Sequence, residues 1–241
     1  KILNKDDHDV TIVNMEEQFS PYLFNGLAKN NEINFSSGFP IDQFESYKIF
    51  KFLCDSVLSQ GSLNQFTFDW ISELLSFSLI TQKDHLTFQK ELQSILDFEL
   101  SNDKIVAHFP SLKGIIDVIS SFKETKNENE LNFLKILIDE IQKCAVKNQT
   151  ENDVTSIILG ELEYFIQKVN EIKVELNLNE KLTILFDQLS KKRISVISNP
   201  NNPIQLIGLL ESRMVDSDTI IFTNFNEAVS YTHLTLPTSS Q

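Results

Sequence analysis

The chain has 241 residues, 41% of them hydrophobic, so it can bury a substantial core as one large domain or two small ones. Its 34 acidic and 21 basic side chains give a net charge of −13, which argues against a surface built broadly to bind nucleic acid. No run of about 18 apolar residues occurs, so no membrane span is predicted.

The first sixty or so residues show strand and helix patterns in alternation. Val10 to Val13 is a β-branched run typical of a strand. Ser20-Pro21 favours a helix start, and Ile33 to Phe35 predicts a second short strand. Asp42 followed by Glu45 is similar to a capping box at the start of another helix. This order of elements predicts a parallel sheet covered by helices.

From about Gly61 to Ser190 the pattern predicts helices only, with polar breaks at 123–129 and 148–153 that separate them. We interpret this stretch as a helical insertion in an α/β domain, which resumes at Ile194 to Ile197. The six predicted helices show apolar residues at three- and four-residue spacing: Phe66 to Leu79, Leu86 to Phe98, Leu112 to Phe122, Leu131 to Val146, Val154 to Leu176 and Leu182 to Leu189.

Two short apolar runs near the end, Ile204 to Ile207 and Ile220 to Thr223, predict buried strands joined by a charged loop. Parallel strands that deliver charged loops to one edge of a sheet are how α/β folds build nucleotide or nucleic-acid sites. The candidate site residues in and after this segment are Glu211, Arg213, Asp216, Asn226 and Glu227.

This strand–loop–strand segment resembles the fifth conserved motif of superfamily 1 DNA helicases. It is more similar to the degenerate form in AddB-type helicase-like proteins that end in a PD-(D/E)XK nuclease domain. The turn with Asn34, Gly38 and Pro40 is similar to the family's N-x-x-x-G-x-P-like turn. The resemblance implies a partial RecA-like (P-loop NTPase-like) parallel sheet with a large all-α insertion, mostly helical overall. It also implies DNA and a second helicase–nuclease subunit as partners, in the repair of double-strand breaks and in recombination.

The resemblance gives Arg213 a role in binding phosphate of DNA or nucleotide; the alternative is an exposed arginine paired with Glu211 or Asp216. Met214 stands where active motors have glycine, which puts ATP hydrolysis in doubt. Asn226 and Glu227 match the family's Asn-Glu-Gly turn or, alternatively, form an ordinary strand-exit turn. ATP and Mg²⁺ are implied for the parent protein only, because this chain has no phosphate-cradling glycine loop.

The predicted organisation has four parts. Residues 1–60 begin the RecA-like second helicase domain, 61–192 form the insertion and 193–228 return to the RecA-like domain. Residues 229–241 contain VSYTHLTLPT, which resembles read-through of a transposase sequencing adapter. With Lys1 in place of an initiator methionine, the chain is interpreted as an inactive internal fragment of a longer exodeoxyribonuclease. The rival hypothesis is a non-catalytic α-helical interaction domain.

Other chemistry is weaker in the sequence, which supplies no catalytic residue and no metal site. Gly114 to Asp117 with Glu124 and Lys126 superficially resembles a PD-(D/E)XK nuclease, but the spacing is too short, and the apolar residues from 112 to 122 make a helix face. The histidines lack ligand spacing. Cys54 and Cys144 are isolated, which favours reduced thiols and a cytoplasmic protein.

Overall fold

The computed structural model describes residues 10–14, 33–35, 38–60, 65–81, 99–122, 128–172, 175–194, 204–208 and 217–223. The chain divides into two compact units. The sheet unit comprises Lys1–Phe39 and Arg193–Gln241, and the helical unit is Pro40–Lys192. The fold is mixed α/β and mostly helical, as the sequence predicts. None of the described helices has both the length and the hydropathy needed to cross a membrane.

Eight short strands occur in the described ranges, and four of them form the main sheet. In chain order they are β1 Val10–Asn14, β2 Ile33–Phe35, β3 Phe39–Pro40, β4 Gln65–Thr67, β5 Glu99–Ser101, β6 Arg193–Ile194, β7 Ile204–Gly208 and β8 Thr219–Thr223.

The main sheet is parallel and has the strand order β2-β7-β1-β8. Val10 is in register with Ile204 on one side and with Thr219 on the other, so β1 has a neighbour on both edges. Every residue of β1 is buried, which explains why its sequence is nearly continuously apolar rather than alternating. The prediction that two segments almost 200 residues apart join in one parallel sheet is confirmed.

Gly38 directly precedes β3 and has a backbone conformation that favours glycine. Its φ of +68° is in the left-handed region, which favours glycine. A Cβ at this position would also lie 3.0 Å from the carbonyl oxygen of Ile194, which is too close for an ordinary contact. The Arg193 guanidinium donates a hydrogen bond of 3.5 Å to the Gly38 carbonyl. The glycine of the predicted turn is therefore required by backbone geometry.

The helical unit is built from eight α-helices in the described ranges, with short 3₁₀ turns at Ile41–Gln43 and Pro110–Leu112. In chain order the helices are α1 Glu45–Gln60, α2 Phe68–Ser76, α3 Ser78–Thr81, α4 Asn102–His108, α5 Lys113–Ser121, α6 Glu128–Ala145, α7 Gln149–Ile172 and α8 Leu178–Ser190. Helix α1 packs on α6, α7 and α8 and buries Phe50, Leu53 and Cys54 completely. It thus belongs to the helical unit, whereas the sequence-based division places it with the first sheet segment.

The predicted capping box of Asp42 and Glu45 is wrong. The first helical residue of α1 is Glu45 itself, and its carboxylate accepts hydrogen bonds from Ser78 Oγ and from the Leu79 N–H, both at 2.9 Å. The amino end of α1 is capped instead by Glu151, which is distant in sequence. A local pattern could not reveal this, because the capping carboxylate comes from another helix.

The prediction of helices alone between 61 and 190 is also wrong. Strands β4 and β5 form an antiparallel ribbon in which Phe66 is in register with Leu100. The predicted break at 148–153 is helical from Gln149 onward, because the Asn148 side chain caps α7 by accepting from the Glu151 N–H at 3.2 Å. The predicted helix from Leu86 to Phe98 lies outside the described residues.

A buried ion pair joins two helices of this unit. The Lys181 ammonium lies 2.9 Å from a Glu130 carboxylate oxygen, and their side chains are only 2% and 14% exposed. One turn earlier, α8 begins with a complete capping box between Asn177 and Glu180. These polar contacts fix α8 against the start of α6.

Candidate ligand-binding edge of the parallel sheet

Three strands of the sheet end at the same level. Asn14, the last residue of β1, is in register with Gly208 of β7 and with Thr223 of β8. Because all three strands run in the same direction, their carboxyl ends meet at one edge. In open α/β sheets ligands bind outside this edge. The two outer strand ends lie roughly 10 Å apart, twice the spacing of neighbouring strands.

Asn14 and Thr223 form a fixed polar pair at this edge. The single proton of the Thr223 hydroxyl can be donated to the Val13 carbonyl at 3.4 Å or to Asn14 Oδ1 at 3.3 Å. Asn14 is 1% exposed, so its amide is held within the sheet end rather than at a free surface. Sequence reasoning missed both residues, although each is the polar residue that closes an apolar strand. The described part of this edge offers amide, hydroxyl and backbone groups and no charged side chain.

The opposite end of β1 has its own polar contact. Thr11 is fully buried, and its hydroxyl is hydrogen-bonded to the hydroxyl of Ser217, just before β8. This contact anchors the start of β8 to β1.

All five predicted site residues lie outside the described residues. In the chain, Glu211 and Arg213 follow Gly208 at the end of β7, and Asn226 and Glu227 follow Thr223 at the end of β8. Asp216 directly precedes Ser217. The structure therefore brings together the carboxyl ends of β7 and β8, and four of the five predicted residues follow these two strands in the sequence.

The basic cluster that the sequence contains, at 191–193, is engaged by other groups. Lys191 donates to Asp187 at 2.7 Å, and Lys192 lies 2.6 Å from a Glu161 carboxylate oxygen. Arg193 donates to the Gly38 carbonyl. Each of these cations makes a local contact within its own unit.

The nuclease-like residues in the helical unit do not form a site within the described ranges. Asp117 is exposed on α5, while Ile115, Ile116 and Ile119 are buried, which confirms the helix-face interpretation. Glu124 and Lys126 lie outside the described residues. No cluster of three or more His, Cys, Asp or Glu side chains placed to hold a metal ion occurs in the part of the chain that the structure describes.

Both cysteines are free thiols, as the sequence predicts. Burial raises the pKa of Cys54 well above its ordinary value, and the nearby charge of Asp55 adds to the effect. Burial also raises the pKa of Cys144, and the Glu140 carboxylate adds to it while Lys143 opposes it. Both thiols are therefore protonated at neutral pH and poor nucleophiles.

One open cavity of about 260 Å³ lies in the helical unit, lined by Ser78, Leu79, Cys144, Lys147 and Asn148. The only thiol among the described residues that line this cavity is that of Cys144, and its raised pKa keeps it in the protonated form, which is a poor nucleophile. We assign it no chemistry.

Comparisons with models of protein families, with curated proteins and with solved structures found no match.

Proposed function

We propose that this chain is part of a DNA helicase–nuclease that acts in double-strand-break repair and recombination. It contributes most of a RecA-like second helicase domain together with a helical insertion. The parent protein would have its P-loop and its nuclease site in other regions, so this part would be inactive by itself. The proposal places the parent protein in the cytoplasm, acting on DNA with a second helicase–nuclease subunit.

The observation that carries the proposal is the joining of β1, β7 and β8 in one parallel sheet. The family resemblance lies in two segments, near 9–49 and 194–228, that are separated by a long helical stretch. If the resemblance of the second segment to the helicase motif were a coincidence, there would be no reason for β7 and β8 to pair with β1 of the first segment. In the structure β1 lies between them, in register over five residues on each side.

Charge does not choose between the two units as the place of DNA contact. The helical unit contains 24 acidic and 16 basic side chains, and the sheet unit contains 10 acidic and 5 basic side chains, so both are acidic and repel the DNA backbone. We assign the DNA contact to the sheet edge and to Arg213, which follows β7, because ligands of open α/β sheets bind outside the carboxyl ends of the strands.

ATP and Mg²⁺ belong to the parent protein in this proposal. The Asn14 amide is buried and accepts from the Thr223 hydroxyl, and neither group is a good ligand for Mg²⁺ without carboxylates beside it. No nucleotide or metal ligand is therefore assigned among the described residues.

The test is a titration of single-stranded DNA with the full-length protein and with Arg213→Ala, at two salt concentrations, with and without ATP. A charge-assisted phosphate contact contributes about 1.5–3 kcal/mol, so the variant should bind roughly ten- to a hundredfold more weakly. The difference should shrink as salt rises. Lys191→Ala is the control, since Lys191 is already paired with Asp187. Identical curves for wild type and Arg213→Ala in every condition would remove Arg213 from the site.

A further inference from the structure

The helical unit has its first and last residues next to each other. The Ile41 N–H donates to the Lys192 carbonyl at 3.1 Å, and Lys192 in turn donates its N–H to the Leu189 carbonyl at 2.8 Å. The unit therefore begins and ends at one point. Further contacts are needed to hold the two ends of the unit together, because a single backbone hydrogen bond contributes only modestly to stability.

Helix α7 holds the start of the unit through a buried carboxylate. Glu151 accepts from the Glu45 N–H at 3.0 Å and from the Ser46 N–H at 2.9 Å, and its own carbonyl accepts from Ser46 Oγ at 3.3 Å. Glu151 is 8% exposed. A carboxylate that caps the positive end of another helix in a buried place makes a strong, charge-assisted contact.

The same helix holds the end of the unit through a second carboxylate. Glu161, ten residues after Glu151, lies 2.6 Å from the Lys192 ammonium, with side chains 23% and 43% exposed. This contact is weaker because water screens it. The two carboxylates together connect α7 to both chain ends, which are also bonded to each other through Ile41.

We infer that α7 is a clamp that closes both ends of the helical unit, so that residues 41–46 and Lys192 open in one cooperative step. Local opening in proteins occurs in such cooperative groups, and their members share one opening free energy. Separate caps would instead let each end open alone. The clamp is a conformational property of the helical unit and does not depend on the proposed function.

Amide hydrogen exchange of the full chain, resolved by NMR, tests the clamp. Glu151→Gln keeps the side-chain volume but removes the charge and places an amide against two N–H donors. We expect exchange at Glu45 and Ser46 to become about tenfold faster, and exchange at Ile41 and Lys192 to accelerate by a similar factor. Glu161→Gln should accelerate all four amides by roughly threefold, since the lost pair is partly exposed.

Glu163→Gln is the matched control, because Glu163 is on the same helix and pairs with Lys135 away from both ends. It should leave the four amides at their wild-type rates. If Glu151→Gln does not fold, Glu161→Gln decides the question, because its site is exposed enough to tolerate the change. Acceleration confined to Glu45 and Ser46 in Glu151→Gln, or to Ile41 and Lys192 in Glu161→Gln, would overturn the clamp.

Discussion

The buried pair of Lys181 and Glu130 gives the sharpest stability prediction. Lys181→Met replaces the ammonium with an apolar group of similar length and leaves the Glu130 carboxylate without its cation. Removing one partner of a fully buried pair costs about 3–5 kcal/mol. Because the Glu130 side chain keeps 14% exposure, water can relieve part of that cost, and we expect a loss of roughly 2–3 kcal/mol in the free energy of unfolding.

Urea unfolding followed by far-ultraviolet circular dichroism measures this loss, since the signal comes mainly from the helical unit. The control is Lys168→Met. Lys168 pairs with Glu171 at 2.7 Å, but both side chains are more than 40% exposed and water screens the pair, so the loss of stability should be much smaller than that of Lys181→Met. The double variant Lys181→Met/Glu130→Leu should recover most of the stability. Equal losses for Lys181→Met and Lys168→Met would refute the argument from burial.

Three further predictions concern the backbone, the sheet and a thiol. Gly38→Ala should destabilise the chain by about 1–3 kcal/mol, because of the positive φ and the close approach of the Ile194 carbonyl. Gly160→Ala lies in a helix where a Cβ meets nothing within 4 Å, so it should stabilise the chain by up to about 1 kcal/mol. Thermal unfolding measures both effects, and equal changes in Tm for the two variants would contradict the prediction. Val13→Ala should lower the free energy of unfolding by about 1.5–2.5 kcal/mol, because the Val13 side chain is fully buried. Phe222→Ala, on the exposed edge strand, should lower it by less than about 1 kcal/mol, and chemical denaturation measures both values. Burial raises the pKa of Cys54 above its ordinary 9.0, so as the pH rises the thiol loses its proton in the unfolded chain before it does so in the folded one. The contribution of the thiol to the free energy of unfolding is therefore complete below pH 9.0 and is lost as the pH rises toward the pKa of the folded state. The free energies of unfolding of wild type and Cys54→Ala should therefore converge as the pH rises through the alkaline range. A difference between the two proteins that stays constant with pH would contradict this prediction.

The strands of the main sheet are predictable because their signals are local. VTIVN, IQLIG and TIIFT are short β-branched runs, and each lies in a strand with nearly the predicted bounds. Gly38 is likewise predictable as a turn residue, although the close approach of Ile194 that makes it necessary is visible only in the structure. The helices from α5 to α8 follow from three- and four-residue spacing, with ends that shift by a few residues.

What the sequence does not predict depends on contacts between distant residues. Glu45 falls in a local capping pattern, yet its carboxylate accepts from the Leu79 N–H, and the carboxylate that caps α1 is that of Glu151 on another helix. Lys181 is a charged residue in an otherwise ordinary amphipathic helix, and only the neighbouring start of α6 explains its burial. At the candidate edge, the register of Asn14 with Gly208 and Thr223 could not be derived, because residues nearly 200 positions apart determine it.

The proposal that this sheet belongs to a helicase–nuclease is tested most directly by sequencing the genomic locus beyond codon 228, past the segment that resembles a sequencing adapter. We predict that the reading frame continues from Glu227 through the family's glycine into a domain with the acidic and lysine residues of a PD-(D/E)XK nuclease, in which carboxylates hold Mg²⁺. A stop codon directly after this point, or an unrelated domain, would contradict the claim and favour the interaction-domain hypothesis.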